Sequence, residues 1–215
     1  DYGNYWKEIW QKRQQRHEEY MDEIPYSDLK AMQLIAPEVP EDYMLQLGNS
    51  SIIRYAQLFT WKESLRIFCN RGTSGIDGSV STAAGAACVY REPTLLIVGD
   101  LSFFYDSNGL WNNYLPSNFR IIVLNNQGGG IFRILPGNKN TENFDTYFET
   151  VHQLNAKPVC ELYGVEYSSA KHSEGTEREL QRFFTESERP KLLEIFTPRK
   201  LNDEVLLEYF NFMKS

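Results

Sequence analysis

Two short stretches decide the fold class of this chain: Gly-Asp-Leu-Ser at 99–102 and Asn-Asn-Gln-Gly-Gly-Gly at 125–130. Each follows a run of mostly apolar residues, at 94–98 and 120–124. Continuous apolar runs are typical of strands that are covered on both faces, as in parallel sheets. In such sheets ligands bind beyond the carboxyl ends of the strands. The two stretches therefore predict a binding site at one edge of a parallel sheet.

The rest of the chain repeats this alternation of strand and helix. Further strand-like runs lie at 43–47, 66–69 and 191–196, and helical patterns lie at 4–24, 28–35, 51–59, 79–90, around 108–115, 174–187 and 202–213. The order predicts a doubly wound α/β fold, with a mainly parallel sheet flanked by helices. We expect residues 1–40 to form a helical lead-in that packs on an α/β domain at 41–215. The polar stretch 136–146 predicts a mobile loop.

Composition excludes several classes of protein. The chain has 215 residues, is 41% hydrophobic and carries a formal net charge of −7, which fits one globular domain without the basic surface of a nucleic-acid-binding protein. No apolar run is long enough for a membrane span, and no signal-peptide pattern opens the chain. Cys69, Cys88 and Cys160 form no CxxC pair, so we expect free thiols and a cytoplasmic location. The first residue is Asp1 rather than Met, which we interpret as a boundary inside a longer protein.

Small and polar residues follow four of the predicted strands. They are found at 48–51 with Arg54 nearby, at 70–78 with Arg71, at 99–102 and at 125–130. A lone Gly-Asp or Asn-Asn pair after a strand is usually just a turn. Four such ends together form a coherent rim, and this is stronger evidence for a ligand site than any single stretch.

The third and fourth strand ends offer the oxygen donors that a magnesium ion prefers. Asp100 supplies a carboxylate, Asn126 an amide oxygen and Gly128 a backbone carbonyl. Two diphosphate oxygens and one water would complete an octahedral shell. Backbone N–H groups at 99–102, where a helix is expected to begin, would hold the diphosphate. Because one strand–helix–strand unit joins the two ends, we expect them to lie side by side.

Four longer stretches carry a resemblance to a known family. They are GNSSIIR (48–54), NRGTSGIDGSVSTAAG (70–85), GDLSFFYDSNGLWN (99–112) and NNQGGGIF (125–132). Together they resemble the C-terminal, thiamine-diphosphate-binding domain of the 2-succinyl-5-enolpyruvyl-6-hydroxy-3-cyclohexene-1-carboxylate synthases, called menaquinone-pathway synthases below. The resemblance covers about residues 43–135 and weakens on either side.

This resemblance implies a reaction and its cofactors. In the family, 2-oxoglutarate loses CO₂ on thiamine diphosphate, and the resulting succinyl carbanion adds to isochorismate. The cofactor supplies the electron sink, whereas the protein supplies position and electrostatics. The expected cofactors are thiamine diphosphate and Mg²⁺ or Mn²⁺, and the expected substrates are 2-oxoglutarate and isochorismate.

The resemblance also assigns roles to single residues. Asp100, Asn126 and Gly128 would bind the metal, and Ile76 would wedge the cofactor into its bent shape. The other expected cofactor contacts are Ser74, Gly75, Gly99, Leu101, Ser102 and Ile131. The expected substrate contacts are Ser50, Arg54, Arg71, Ile131 and Phe132. The two arginines also make chemical sense, since both substrates are dicarboxylates and a guanidinium grips a carboxylate with two parallel bonds.

Two features depart from the family pattern. Where the family has a Phe-Gly-Thr-Pro-His-like stretch, this chain reads Phe-Glu-Thr-Val-His at 148–152, so no role is carried over to His152. The family's catalytic glutamate belongs to an N-terminal domain that is not represented here. We therefore expect no catalytic residue in this chain, no activity of the chain by itself, and an active site completed by a neighbouring subunit in a homo-oligomer.

Other readings of the sequence stay open. Ile76, Ile131 and Phe132 could be ordinary core residues, and Arg54 and Arg71 could be surface ion pairs. The Gly-Asp and Asn-Asn anchors would equally suit another thiamine-diphosphate enzyme, such as a 2-oxoacid decarboxylase or an acetolactate synthase. A non-catalytic nucleotide- or phosphate-binding module is disfavoured, because neither GxxxxGK[ST] nor a helix-opening GxGxxG is present. A pure dimerisation domain would leave the polar strand ends without a role.

Overall fold

A six-stranded, entirely parallel sheet forms the centre of the molecule. The computed structural model describes residues 1–137, 139 and 141–214. The strands are β1 (Met44–Leu47), β2 (Arg66–Cys69), β3 (Thr94–Gly99), β4 (Phe119–Asn125), β5 (Glu166–Ala170) and β6 (Lys191–Phe196), in the order β2-β1-β3-β4-β6-β5. The expected doubly wound α/β fold is thus confirmed.

Helices cover both faces of this sheet. They are α1 (Tyr2–Glu23), α2 (Asp28–Glu38), α3 (Ser51–Ala56), α4 (Ser79–Val89), α5 (Asp100–Tyr105), α6 (Ile131–Ile134), α7 (Lys157–Tyr163), α8 (Ser173–Phe183) and α9 (Asn202–Lys214). A 3₁₀ turn at Ser107–Leu110 and a π-helical turn at Phe144–Phe148 interrupt the loops. The start of α2 is capped by Ser27, whose hydroxyl accepts a hydrogen bond from the Lys30 amide. No described helix is both long and apolar enough to cross a membrane.

Alternate residues of the central strands enter two separate cores. In β3, Leu95 and Ile97 pack with side chains of α2, α3, α8 and α9, whereas Leu96 and Val98 pack with α4, α5 and α7. All four side chains are fully buried. This explains the uninterrupted apolar run at 94–98, because a strand covered on both faces has no polar side to show.

Several predicted elements differ from the structure. Strand β5 and helix α7 were not predicted, because β5 is a half-exposed edge strand of sequence Glu-Tyr-Ser-Ser-Ala and α7 is only two turns long. Helix α2 continues to Glu38 and includes Pro37 in its last turn, rather than ending before it. Part of the predicted mobile loop at 136–146 lies outside the described residues, at 138 and 140.

The helix predicted around 108–115 is wrong, since only the 3₁₀ turn at Ser107–Leu110 forms there. Asp106 draws this segment onto the start of α4, where its carboxylate accepts hydrogen bonds from the Ser81 amide (2.7 Å) and hydroxyl (2.9 Å). A side-chain carbon added at Gly109 would come within 2.8 Å of the Ser81 backbone. The close approach of the two backbones thus replaces a regular helix.

The strand register brings the polar strand ends together. Gly99 at the end of β3 pairs with Leu124, and Asn125 at the end of β4 pairs with Phe196 at the end of β6. Leu47, the last residue of β1, pairs with Ile97. The loops after β1, β3 and β4 therefore open onto the same edge of the sheet, as the sequence predicted.

Candidate functional site

A cleft of about 230 Å³ lies at the carboxyl edge of the central strands. Most of the predicted site residues line it, namely Ser50, Ile76, Gly99, Asp100, Leu101, Ser102, Asn126, Gly128, Ile131 and Phe132. Four do not: Ser74, Gly75, Arg54 and Arg71. The cleft is also lined by Asp28, Asn49 and Gly129, which sequence reasoning did not assign.

Asp100 joins the ends of β3 and β4. Its side chain is buried, and its Oδ2 accepts a 3.0 Å hydrogen bond from the backbone N–H of Gly128. Its Oδ1 accepts a 2.6 Å hydrogen bond from the Leu101 amide. The carboxylate is therefore held at the strand edge by backbone groups, in an orientation set by the fold.

Asn126 lines the same cleft as this carboxylate. Its amide nitrogen donates a 2.8 Å hydrogen bond to Asp28 Oδ2, whereas its Oδ1 is buried without a hydrogen-bond partner among the described residues. A buried polar atom without a partner is costly and calls for an explanation, an unseen ion being one. The Gly128 carbonyl accepts only the Gly130 N–H, at 3.0 Å, in the described backbone.

This donor set fits a hard cation that shares a phosphate ligand. Asp100, Asn126 Oδ1 and the Gly128 carbonyl are all oxygen donors, as Mg²⁺ requires. Nowhere in the described chain do three or more His, Cys, Asp or Glu side chains form a metal-binding group. A metal here would therefore depend on amide, backbone and ligand oxygens rather than on a preformed protein cage.

The backbone at Gly128 can be adopted only by glycine. Its φ is +155°, and a side-chain carbon at this position would lie 2.6 Å from the carbonyl oxygen of Glu149. The preceding residue, Gln127, has a φ of 67°, which is also unusual. The glycine allows the loop to turn back so that its N–H reaches Asp100.

The segment 149–152 packs directly on this loop. The Glu149 carbonyl accepts a 2.6 Å hydrogen bond from the Gly129 amide, and the Gln127 carbonyl accepts one from the His152 amide at 3.2 Å. The Glu149 side chain is fully buried and forms ion pairs with Arg133 and with Arg199, the latter at 2.7 Å. Hydrogen bonding to Glu149 raises the pKa of Arg133. This buried carboxylate thus anchors the segment behind the site.

His152 comes close to the predicted metal ligand. Its Nε2 lies 3.3 Å from Asp100 Oδ2, and its ring meets that of Phe104 edge to face. The Leu154 amide donates to Nδ1 at 3.1 Å, so a neutral ring carries its proton on Nε2, the atom that faces Asp100. Although no role was carried over to this stretch from the family pattern, the fold places it at the site.

Asn49 organises the loop after β2. Its amide nitrogen donates to the carbonyls of Asn70 (2.8 Å) and Gly75 (2.6 Å), and its Oδ1 accepts from Arg71 Nη1 at 2.9 Å. On the far side of this loop, the Ser102 hydroxyl donates to the Ile76 carbonyl. Ile76 therefore enters the cleft on a segment that is fixed from both ends.

The two predicted substrate arginines lie outside the cleft and are exposed to solvent. Arg54 Nη1 donates to the Ser50 carbonyl at 2.7 Å, and Arg71 contacts Asn49. Among the residues that the structure describes, neither guanidinium has a carboxylate within ion-pair distance. The alternative interpretation of both as surface ion pairs is therefore not supported by the described contacts.

Asp28 is the residue at this site that was hardest to predict from the sequence. Burial raises its pKa to about 6, against the lowering effect of hydrogen bonds from Thr197 and Asn126. An aspartate directly after the capping Ser27 has the pattern of an ordinary helix start, where acidic residues are common. No signal in the sequence links it to a strand end 98 residues away.

Comparisons with known proteins agree on one group of enzymes. The chain is 68% identical over 97% of its length to the 2-succinyl-5-enolpyruvyl-6-hydroxy-3-cyclohexene-1-carboxylate synthase of Christiangramia forsetii. It is 53% identical over 98% of its length to the synthase of the same name from Flavobacterium psychrophilum, and 41% identical over 99% to that of Porphyromonas gingivalis. It spans only 36%, 38% and 37%, respectively, of these relatives' lengths.

Solved structures share the fold. A putative thiamin diphosphate-dependent enzyme from Mycobacterium smegmatis aligns with 82% of this chain and 33% of its own, with a TM-score of 0.62 and 17% identity. Benzoylformate decarboxylase from Polynucleobacter necessarius aligns with 80% of this chain and 33% of its own, with a TM-score of 0.66 and 15% identity. No protein-family model matches the chain.

Proposed function

Because nearly the whole chain is similar to about a third of the menaquinone-pathway synthases, we propose that it is the diphosphate- and metal-binding domain of such an enzyme. The observation that carries the proposal is the placement of Asp100 and Asn126 at the ends of neighbouring parallel strands. The buried Asn126 Oδ1, which has no partner in the described part of the chain, supports a cation at this point. The coverage of a third of each relative supports the domain as one part of a larger active unit.

In this proposal Asp100, Asn126 Oδ1 and the Gly128 carbonyl hold Mg²⁺ or Mn²⁺. Thiamine diphosphate, when bound, supplies the electron sink for loss of CO₂ from a 2-oxoacid. Gly99, Leu101 and Ser102 contact its diphosphate, and Ile76 supports it from below. This support rests on a fixed position, since Asn49 and Ser102 hold the loop on either side of Ile76.

The substrates follow from the same proposal. Arg54 and Arg71, exposed at the rim and without described carboxylate partners, bind the carboxylates of 2-oxoglutarate and isochorismate. Ser50, Ile131 and Phe132, which line the cleft, are the further substrate contacts in this proposal. Ser74 and Gly75 lie outside the cleft in this chain, and the proposal assigns them to the pyrimidine half of the cofactor.

The proposal extends to the rest of the enzyme. A further domain supplies the catalytic glutamate, and a neighbouring copy completes the pocket in a homo-oligomer. Residues 1–40 act as a lead-in that packs on the domain at 41–215, as the burial of Met21, Leu29 and Met32 supports. Free thiols at Cys69, Cys88 and Cys160 support a cytoplasmic location.

Calorimetric titration of the chain with thiamine diphosphate tests the proposal. Binding should require Mg²⁺, and EDTA should abolish it. Asp100→Ala should weaken binding by more than about 100-fold, beyond the roughly 10–100-fold typical of residues that only support a metal ligand. Asp42→Ala, which removes an exposed carboxylate at the opposite edge of the sheet, should bind as the unchanged chain does.

Two results would contradict the proposal. One is cofactor binding that is indifferent to both EDTA and Asp100→Ala. The other is tighter binding of ATP or NAD than of thiamine diphosphate, which would favour a nucleotide-binding module. Turnover assays of an intact synthase with 2-oxoglutarate and with pyruvate then separate the menaquinone-pathway reaction from those of other thiamine-diphosphate enzymes.

A further inference from the structure

The carboxylate of Asp28, on the second helix, contacts the proposed metal ligand Asn126. Asp28, the first residue of α2, is 1% exposed. Its Oδ2 accepts the 2.8 Å hydrogen bond from Asn126 Nδ2, and its Oδ1 accepts a 2.6 Å hydrogen bond from the Thr197 hydroxyl. Its backbone N–H donates to Asn202 Oδ1 at 2.8 Å. Thr197 holds the carboxylate of Asp28, and Asn202 holds its backbone, so that the carboxylate is fixed beside Asn126.

This contact decides which way the Asn126 amide faces. An ionised carboxylate has only acceptor atoms, so it selects the NH₂ group of the amide and excludes its oxygen. The oxygen is then directed away from Asp28, and it is the buried atom that has no partner among the described residues. An amide without this neighbour could rotate by half a turn and offer its nitrogen, which cannot ligate a cation.

We propose that Asp28 is a positioning residue that orients Asn126 so that its side-chain oxygen, rather than its nitrogen, is available to the divalent cation. This inference rests on the proposed function, because it assumes that Asn126 is a metal ligand. In this proposal Asp28 acts through Asn126 rather than as a metal ligand: its Oδ2 holds the Asn126 amide, and its Oδ1 holds the Thr197 hydroxyl. Its contribution is to hold the ligand in place before the ion arrives.

The test is a calorimetric titration of Mg²⁺ into the chain with thiamine diphosphate present. Asp28→Leu keeps the approximate shape but removes the acceptor, and it should weaken Mg²⁺ binding by about 10–100-fold. Asp28→Asn can still accept from Asn126 through its own oxygen, and it should recover most of that loss. Thr197→Val removes the other hydrogen bond to the same carboxylate while leaving its contact with Asn126, and it should change Mg²⁺ binding less than about threefold.

The outcomes separate a positioning role from mere structural support. If Asp28→Leu binds Mg²⁺ as tightly as the unchanged chain, or if Thr197→Val loses as much affinity as Asp28→Leu, the proposal is overturned. Circular dichroism and thermal unfolding show whether Asp28→Leu folds. If it does not, the Mg²⁺ affinities of Asp28→Asn and Thr197→Val are compared instead. A larger loss of Mg²⁺ affinity in Thr197→Val than in Asp28→Asn overturns the proposal. If the unchanged chain and Asp100→Ala bind Mg²⁺ and cofactor equally, the proposed function itself has failed.

Discussion

Asn125, the residue that directly precedes the proposed metal ligand Asn126, donates a 2.7 Å hydrogen bond to the fully buried carboxylate of Glu194 on the neighbouring strand. The same carboxylate accepts from the Ala156 amide at 3.0 Å and from the Tyr167 hydroxyl at 2.8 Å. Burial raises the pKa of Tyr167, and the hydrogen bond to Glu194 raises it further. One buried acid therefore ties β4, β5, β6 and the start of α7 together beneath the site.

Replacing this acid should destabilise the whole domain. Glu194→Leu removes the acceptor of three hydrogen bonds, two of them fully buried, so the free energy of unfolding in urea should fall by about 3 kcal/mol or more. Glu188→Leu changes an exposed glutamate on the loop before the same strand and should stay within about 0.5 kcal/mol of the unchanged chain. Equal unfolding midpoints for the two variants would disprove the anchoring role.

An alanine at Gly128 should damage both stability and binding. Its side chain would meet the Glu149 carbonyl at 2.6 Å and would have to adopt a φ of +155°, so we expect a loss of about 2 kcal/mol and weaker cofactor binding. Gly85→Ala is the matched control, because Gly85 lies on the exposed face of α4 and no described atom lies within 4 Å of its added carbon. That change should stabilise the chain by up to about 1 kcal/mol. Thermal unfolding and calorimetry measure both effects, and a stable, fully binding Gly128→Ala would contradict the strain argument.

Removing Asn49 should release the loop that carries Ile76. Asn49→Ala deletes the acceptor for Arg71 and the donor to the Asn70 and Gly75 carbonyls, so the loop should open more often. Trypsin cleavage after Arg71 should accelerate by about tenfold, which corresponds to roughly 1.4 kcal/mol of lost loop stability. Cleavage after the exposed Lys200 should keep its rate, and an equal acceleration there would indicate general unfolding instead.

The sequence predicted the site through its strand ends and failed where contacts cross the fold. Asp100 and Asn126 were identifiable because each follows an apolar run, and parallel strands bring such ends to one edge. Asp28 and His152 were not, because their contacts depend on how α2 and the segment 149–152 dock, which no local pattern encodes. Arg54 and Arg71 were found as rim residues, whereas only the structure shows that they lie outside the cleft.

The same limit explains the missed elements. β5 has no apolar run, because it lies at the edge of the sheet and exposes half of its residues, so its alternation is too weak to predict a strand. The residues around 108–115 have a helical pattern, but the close contact between Gly109 and Ser81 prevents a regular helix there. In both places tertiary packing, rather than local preference, determines the conformation.

The buried Asp28 should give the domain a measurable pH dependence. Its pKa rises from 3.8 to about 6 on folding, chiefly through burial, so its contribution to stability is fully present below pH 3.8 and is lost as the pH rises through about 6. The ionised form then costs about 3 kcal/mol. Asp28→Asn does not titrate, and its stability relative to the unchanged chain should increase between pH 4 and about 6 and level off above about 7.

Urea unfolding at a series of pH values measures this trend. Thr197→Val removes a hydrogen bond that lowers the pKa of Asp28, so in that variant the loss of stability with rising pH should be larger. A difference between Asp28→Asn and the unchanged chain that is constant from pH 4 to 7 would contradict the assignment of this pKa to Asp28.

The parallel sheet also sets the order in which the site can assemble during folding. No two neighbouring strands of the described sheet are joined by a hairpin, so each pairing must wait for a loop closure, and such topologies fold slowly. The contact between Asp28 and Thr197 spans 169 residues, and that between Asn125 and Glu194 spans 69. We expect helices and local turns to form before these long-range contacts do. We therefore expect the proposed cation site to form late in folding, when segments far apart in the chain meet across the finished sheet.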